Sequence, residues 1–128
     1  MLDYDAYYKA VNGQVNDLFY YYREQAALKA RQYQRALDDI VKAIELSPKD
    51  LTYRAEHAVV NLRVGRYEES MKILNEILKD EPKYGEAYRL LGLCQIQLKK
   101  TDEACGNFNK AKELGDPNVD ELIKKYCK

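Results

Sequence analysis

The sequence predicts an all-α fold, built as a stack of antiparallel helix pairs. Three observations carry this. Residues recur at a spacing of 34: Pro48 and Pro82; Tyr33 and Tyr67; Ala36, Ser70 and Ala104; Ala43, Ile77 and Ala111; and, two steps apart, Tyr20 and Tyr88. Within a unit, apolar residues fall at helical spacing in two runs, not in the alternation of a strand. Helix-stopping residues separate the runs. A period of this length marks a repeat architecture, in which each unit is one supersecondary element that buries its apolar face on the next. It divides the chain into units at 17–50, 51–84 and 85–118, with flanks at 1–16 and 119–128.

In the first unit, Ala36, Leu37, Ile40, Ala43 and Ile44 form the inner stripe of a second helix, and Ser47-Pro48 ends it. In the second, Gly65 sits at the turn between helices, where a left-handed residue costs least. Ile73, Leu74, Ile77 and Leu78 make the next stripe, and Pro82 follows it. In the third, Leu90, Leu91, Cys94 and Leu98 share a face, and Lys99-Lys100-Thr101-Asp102 breaks the pattern. Thr101 is the expected N-cap of the following helix, whose stripe is Ala104, Cys105, Phe108, Ala111 and Leu114. Gly115-Asp116-Pro117 stops it. Paired helices approach closely only where facing residues are small, which accounts for Ala36, Ser70 and Ala104 on the second helices and Ala58 and Gly92 on the first.

The flanks follow the same logic. Asn118 to Cys127, with Val119, Leu122, Ile123 and Tyr126 on one edge, predicts a short amphipathic helix that caps the open end of the third unit. Asp3 to Asn12, with Tyr4, Tyr7, Tyr8 and Val11, reads as the second helix of a partial preceding repeat, or as an N-terminal cap. Eight of the twelve tyrosines fall in the first 53 residues. That end is a cap, the cut face of a longer array, or a homodimer contact.

Composition excludes several function classes. The 128 residues carry 21 Lys plus Arg and 21 Asp plus Glu. A balanced charge argues against nucleic acid, which needs a basic surface, and against a polybasic membrane anchor. No stretch approaches the roughly 20 apolar residues of a membrane span. Met1-Leu2-Asp3-Tyr4-Asp5 carries acid where a signal peptide carries base. The expectation is a soluble chain, cytoplasmic, or periplasmic if a leader has been removed. Cys94, Cys105 and Cys127 are odd in number and lack a CxxC pair, so they form no zinc framework and no disulfide scaffold. They read as free thiols serving as small hydrophobes, though proximity of two of them in the fold leaves the redox compartment open.

At this point the residues resemble the tetratricopeptide repeat family, whose unit is a 34-residue helix–turn–helix. The third unit carries Tyr88, Leu91-Gly92, Ala104, Phe108 and Ala111, with Pro117 one place late. The second carries Ala58, Gly65, Tyr67, Ser70, Leu74 and Pro82, with Arg54 and His57 replacing apolar positions. The first carries Tyr20, Tyr33, Ala36, Ile40, Ala43 and Pro48, but Glu24 stands where a small residue belongs. The resemblance covers 17–118 and implies a right-handed superhelical stack whose first helices line the inner face.

It also implies where a partner docks. The groove positions are Leu18, Tyr21, Gln25, Leu28 and Lys29; Thr52, Ala55, Val59, Leu62 and Arg63; and Glu86, Arg89, Leu93, Ile96 and Gln97. This set is mainly apolar with cations at its margin, suited to an extended or helical peptide that inserts apolar side chains. Leu28, Leu62, Leu93 and Ile96 equally suit packing between repeats. Some members clamp chaperone C-termini with Lys and Asn at the fifth and ninth positions. Here those positions hold Tyr21 with Gln25, Ala55 with Val59, and Arg89 with Leu93, so that clamp is not present.

Nothing in the sequence calls for catalysis, a metal or a cofactor. There is no glycine-rich phosphate loop, GxSxG or HExxH. His57 is the only histidine and reads as packed or at an edge. Glu24 either pairs with Arg23 or Arg54 or carries its head outward. Asp38-Asp39, Glu68-Glu69 and Asp80-Glu81 read as solvated or dipole-compensating pairs. The expected function is a non-catalytic scaffold that binds a peptide or protein on its concave face, possibly as the C-terminal part of a longer repeat protein. The alternative is an oligomerisation module dimerising through the tyrosine-rich end.

Overall fold

The computed structural model describes residues 16–127, and all regular structure among them is helical. The helices are α1 (Asp17–Lys29), α2 (Tyr33–Leu46), α3 (Leu51–Val64), α4 (Tyr67–Asp80), α5 (Gly85–Gln97), α6 (Thr101–Glu113) and α7 (Asp120–Tyr126). The first helix of each repeat begins at Asp17, Leu51 and Gly85, and the second at Tyr33, Tyr67 and Thr101, each set at steps of 34. The expected helix at Asp3 to Asn12 lies outside the described residues. The chain divides into two compact units, one through Val64 and one from Gly65 onward.

The turns explain why helices stop where they do. Arg31, Gly65 and Lys99 occupy equivalent turn positions with φ of 59°, 94° and 63°. After α1 the Gln32 N–H donates to the Ala27 carbonyl at 2.8 Å and the Arg31 N–H to Leu28 at 3.1 Å. After α5, Lys100 donates to Gln95 at 2.8 Å and Lys99 to Ile96 at 3.0 Å. These paired bonds satisfy carbonyls that a helix end leaves without partners. Gly115, with φ 87°, closes α6 in the same way through its own N–H to Lys112 and the Asp116 N–H to Ala111, both at 3.0 Å. Thr101 is not the N-cap: it is the first helical residue, and Lys100 precedes it without a side-chain cap. Charge supports the helix instead, with Asp102 and Glu103 in the first turn of α6 and Lys110 and Lys112 in the last.

In the first unit α1 and α2 form a hairpin, and α3 packs on α2. Their shared core is Ala27, Ala36, Leu37, Ile40, Ala43, Tyr53 and Val60. Asn16 caps α1 by accepting from the Phe19 N–H at 3.1 Å, and the Asp50 carboxylate accepts from the Tyr53 N–H at the start of α3. Asp17 then joins three elements: its Oδ2 accepts from the Tyr53 hydroxyl at 2.9 Å and the Ser47 hydroxyl at 3.0 Å. Burial pushes the Asp17 carboxyl up, but these bonds outweigh it and hold the group below its ordinary range. Burial, then the bond to Asp17, pushes the Tyr53 phenol up.

Asp39 departs from the solvated role expected of it, and Glu24 from the ion pair or outward head expected of it. Asp39 is 2% exposed, not a solvated member of an acidic pair, because it lies three residues past Ala36 on the buried stripe of α2. Arg23 meets it with two parallel bonds, Nε at 2.9 Å and Nη2 at 2.7 Å. Glu24 neither reaches water nor takes Arg23: it is fully buried, and both of its oxygens lack a donor.

In the second unit α4 packs on α5, α5 and α6 form a hairpin, and α7 lies on α6. Phe108 is fully buried with Ala104, Ala111 and Val119; sealing such a side chain from water is worth about 1.5–3 kcal/mol. Its ring fills the space left by Gly92: a Cβ there would lie 2.6 Å from Phe108 Cδ1 and 3.0 Å from Cζ. Buried Gln95 accepts from Asn107 Nδ2 at 2.6 Å, which ties α5 to α6. Two of the cysteines are not free hydrophobes: Cys105 and Cys127 form a disulfide with their Cα atoms 5.7 Å apart. Cys94 remains a free, buried thiol.

Candidate functional site

Large apolar side chains are partly exposed on both helices of a repeat, Val41 and Leu46 on α2 among them; those on the first helices fall at the groove positions. In the first unit, Leu18 is 42% exposed at the start of α1. Tyr21, Gln25 and Leu28 follow it half-buried. Tyr21 lies 5.3 Å from the Tyr53 ring and 5.9 Å from Tyr22, centroid to centroid, so its ring is braced from two sides. Tyr21 and Leu28 also touch the core. Lys29 is exposed at the basic end of the helix. On α3, Val59 and Leu62 are half-buried, while Thr52 and Arg63 are exposed. Ala55 is 2% exposed and offers almost no side-chain surface.

In the second unit Leu93 and Ile96 are half-buried and pack against the Phe108 cluster. Gln97 is exposed at the end of α5, and Glu86 is half-buried near its start. Arg89 is held by two carboxylates, its Nε donating to Asp116 Oδ2 at 2.9 Å and its Nη2 lying 3.6 Å from Glu86 Oε1. Glu86 in turn accepts from the Tyr84 hydroxyl at 2.8 Å. A cleft of about 300 Å³ opens beside this ion pair, with Lys83, Leu114 and Asn118 in its walls.

Chemically, these surfaces offer apolar area, amides and marginal cations. Among the described residues no group of three His, Cys, Asp or Glu side chains is placed to hold a metal ion. No described helix is long and apolar enough to cross a membrane. His57 is half-buried on α3, and its carbonyl accepts from Asn61 Nδ2 at 3.0 Å. Sequence reasoning missed the Arg23–Asp39 pair, although the helical stripe through Ala36, Ile40 and Ala43 already places Asp39 inward. It also missed the Asp17–Tyr53–Ser47 junction, whose partners lie more than 29 residues apart and leave no local signal.

A tetratricopeptide repeat family profile matches residues 27–90. The chain is 32% identical over 101 residues to heat shock protein STI1 of Saccharomyces cerevisiae, covering 76% of this chain and 17% of that protein. It is 30% identical over 99 residues to small glutamine-rich tetratricopeptide repeat-containing protein 2 of Mycosarcoma maydis, covering 77% of this chain and 28% of that protein. The chain thus spans under a third of the length of these relatives. Its fold is that of the first repeat domain of Spaghetti (RPAP3), solved with the HSP90 peptide SRMEEVD: the TM-score is 0.74 at 21% identity, covering 87% of both chains. The repeat spacing, the helix hairpins and the family match together show that this chain belongs to the tetratricopeptide repeat family and has its all-α fold.

Proposed function

We propose that the chain captures an extended or helical peptide on its first helices. The anchoring positions are Leu18, Tyr21, Gln25 and Leu28 on α1; Ala55, Val59, Leu62 and Arg63 on α3; and Arg89, Leu93, Ile96 and Gln97 on α5. The observation behind this reading is the partial exposure of Leu18, Tyr21, Leu28, Val59, Leu62, Leu93 and Ile96 among these places. Apolar anchors in partly desolvated surroundings provide most of the energy in peptide recognition, with polar groups fixing orientation.

The Spaghetti domain binds an acidic peptide that ends in a carboxylate. Capture of such a tail calls for cations and amides free to receive it. The fifth and ninth positions, where some family members carry a chaperone clamp, hold Tyr21 with Gln25, Ala55 with Val59 and Arg89 with Leu93, and Arg89 already faces Asp116 and Glu86. We therefore assign an apolar-anchored peptide as the ligand rather than an acidic tail.

The test is capture from a displayed peptide library by wild type and by Leu62→Asp and Leu93→Asp, each checked for helicity. An apolar-to-charged change at one anchor should weaken binding at least about tenfold. Equal capture by well-folded variants, or selection of acidic tails alone, overturns the assignment.

A further inference from the structure

The cysteine pair at the C-terminal end is the feature that peptide capture does not use. We propose that Cys105 and Cys127 form a thiol-switched clasp, which holds the C-terminal helix onto α6 when closed as a disulfide and releases it when opened to two thiols.

The helix it holds is poorly secured otherwise. α7 has seven residues, no side-chain cap and no fully buried residue. Helices this short do not persist in water by themselves. Leu122, Ile123 and Tyr126 lean on the Phe108 cluster, and the Phe108 and Tyr126 rings stack with centroids 6.4 Å apart. The ion pair from α6 to α7, Lys112 to Asp120 at 3.5 Å, is 64% exposed on both sides and contributes little. The covalent link closes a span of 22 residues, so it restricts the released state strongly.

The pair is also reachable and unambiguous. Both cysteines line an open cleft of about 410 Å³ with Thr101, Asp102, Asn109, Ile123 and Tyr126, and both are only half-buried. A small thiol can therefore attack. The remaining cysteine, Cys94, is fully buried on α5 and has its thiol pushed up by burial; it offers no competing thiolate.

Opening takes two exchanges. A dithiol reductant's thiolate attacks one sulfur, the S–S bond breaks, and the other cysteine leaves as a thiolate and is protonated. The second reductant thiol then displaces the first cysteine. The pair gains two electrons and two protons, and the reductant becomes a disulfide. Closing is the reverse reaction with a small-molecule disulfide as oxidant.

The experiment is amide hydrogen exchange by mass spectrometry on the full chain, once after reduction with dithiothreitol and once after oxidation with glutathione disulfide, with intact mass reporting the thiol count. Residues 119–127 should exchange on the order of a hundredfold faster when reduced, for a loop of this length, while residues 33–46 stay unchanged. Cys105→Ser and Cys127→Ser should each exchange rapidly in both conditions, and Cys94→Ser should keep the redox dependence. Equal protection of the C-terminal helix in both forms overturns the clasp. So does an oxidised chain that retains three thiols, or one that pairs through Cys94.

Discussion

Glu24→Gln tests the least expected feature of the first unit. Glu24 is fully buried where the next repeats carry Ala58 and Gly92, and its oxygens lack a donor. Burial, the negative charge and hydrogen bond of Glu56, and the charge of Asp39 together raise its carboxyl to about 9, from a usual 4.5. The one hydrogen bond open to it beside Glu56 is as a neutral acid that donates to the Glu56 carboxylate; two carboxylates could make none. Arg23, the adjacent cation, is engaged with Asp39. The folded pKa exceeds the unfolded one, so folding takes up a proton between the two. Stability from this site is complete below about pH 4.5 and declines as pH rises, by about 1.4 kcal/mol per unit. It is fully lost above about pH 9. Between pH 5 and 8 the limit is about 4 kcal/mol, and relaxation around the charged pair reduces it to about 2–4 kcal/mol. Glutamine keeps the shape and the donor but cannot titrate. Urea unfolding across pH 5–8 should therefore show wild type losing stability and the variant losing far less, with the two nearly equal at pH 5. Parallel profiles for the two proteins would refute the buried neutral acid.

Two further substitutions probe the helix pairs. Gly92→Ala gains roughly 1 kcal/mol of helix propensity, but its methyl would meet the buried Phe108 ring at under 3 Å; overpacking should win, with a net loss of about 1–2 kcal/mol. An unchanged urea midpoint would contradict the close approach. Lys99→Gly relieves a left-handed φ of 63° at an exposed turn. The relief of about 1–2 kcal/mol exceeds glycine's entropic cost of about 0.5–1 kcal/mol, so thermal melting should show a gain of about 0.5–1 kcal/mol. A loss would mean that the Lys99 side chain supports the turn.

Much of the fold was legible because repetition averages over local irregularity. The stripes of α2, α4 and α6 follow from period alone, since each helix buries one face. The left-handed turns at Arg31 and Lys99 carry no residue signal of their own, though both sit 34 positions from Gly65, the one turn residue the sequence named. The disulfide was not legible: three cysteines admit several pairings, and only the closeness of Cα atoms selects one. Asp39 shows charge misleading where geometry was informative, because its partner Arg23 lies on another helix. At the candidate site the positions came from the family resemblance, which does not say how their surface divides. Leu28, Leu93 and Ile96 serve the core as well as solvent, Ala55 lies under its neighbours, and Arg89 is already paired.

Docking on the first helices is tested most directly by titrating a library-selected peptide into the isotopically labelled chain and following backbone and methyl resonances. The largest shifts should fall on Tyr21, Gln25, Val59, Leu62, Leu93 and Gln97. Shifts confined to the outer α2 residues Val41 and Leu46, or spread over none of the first helices, would contradict it.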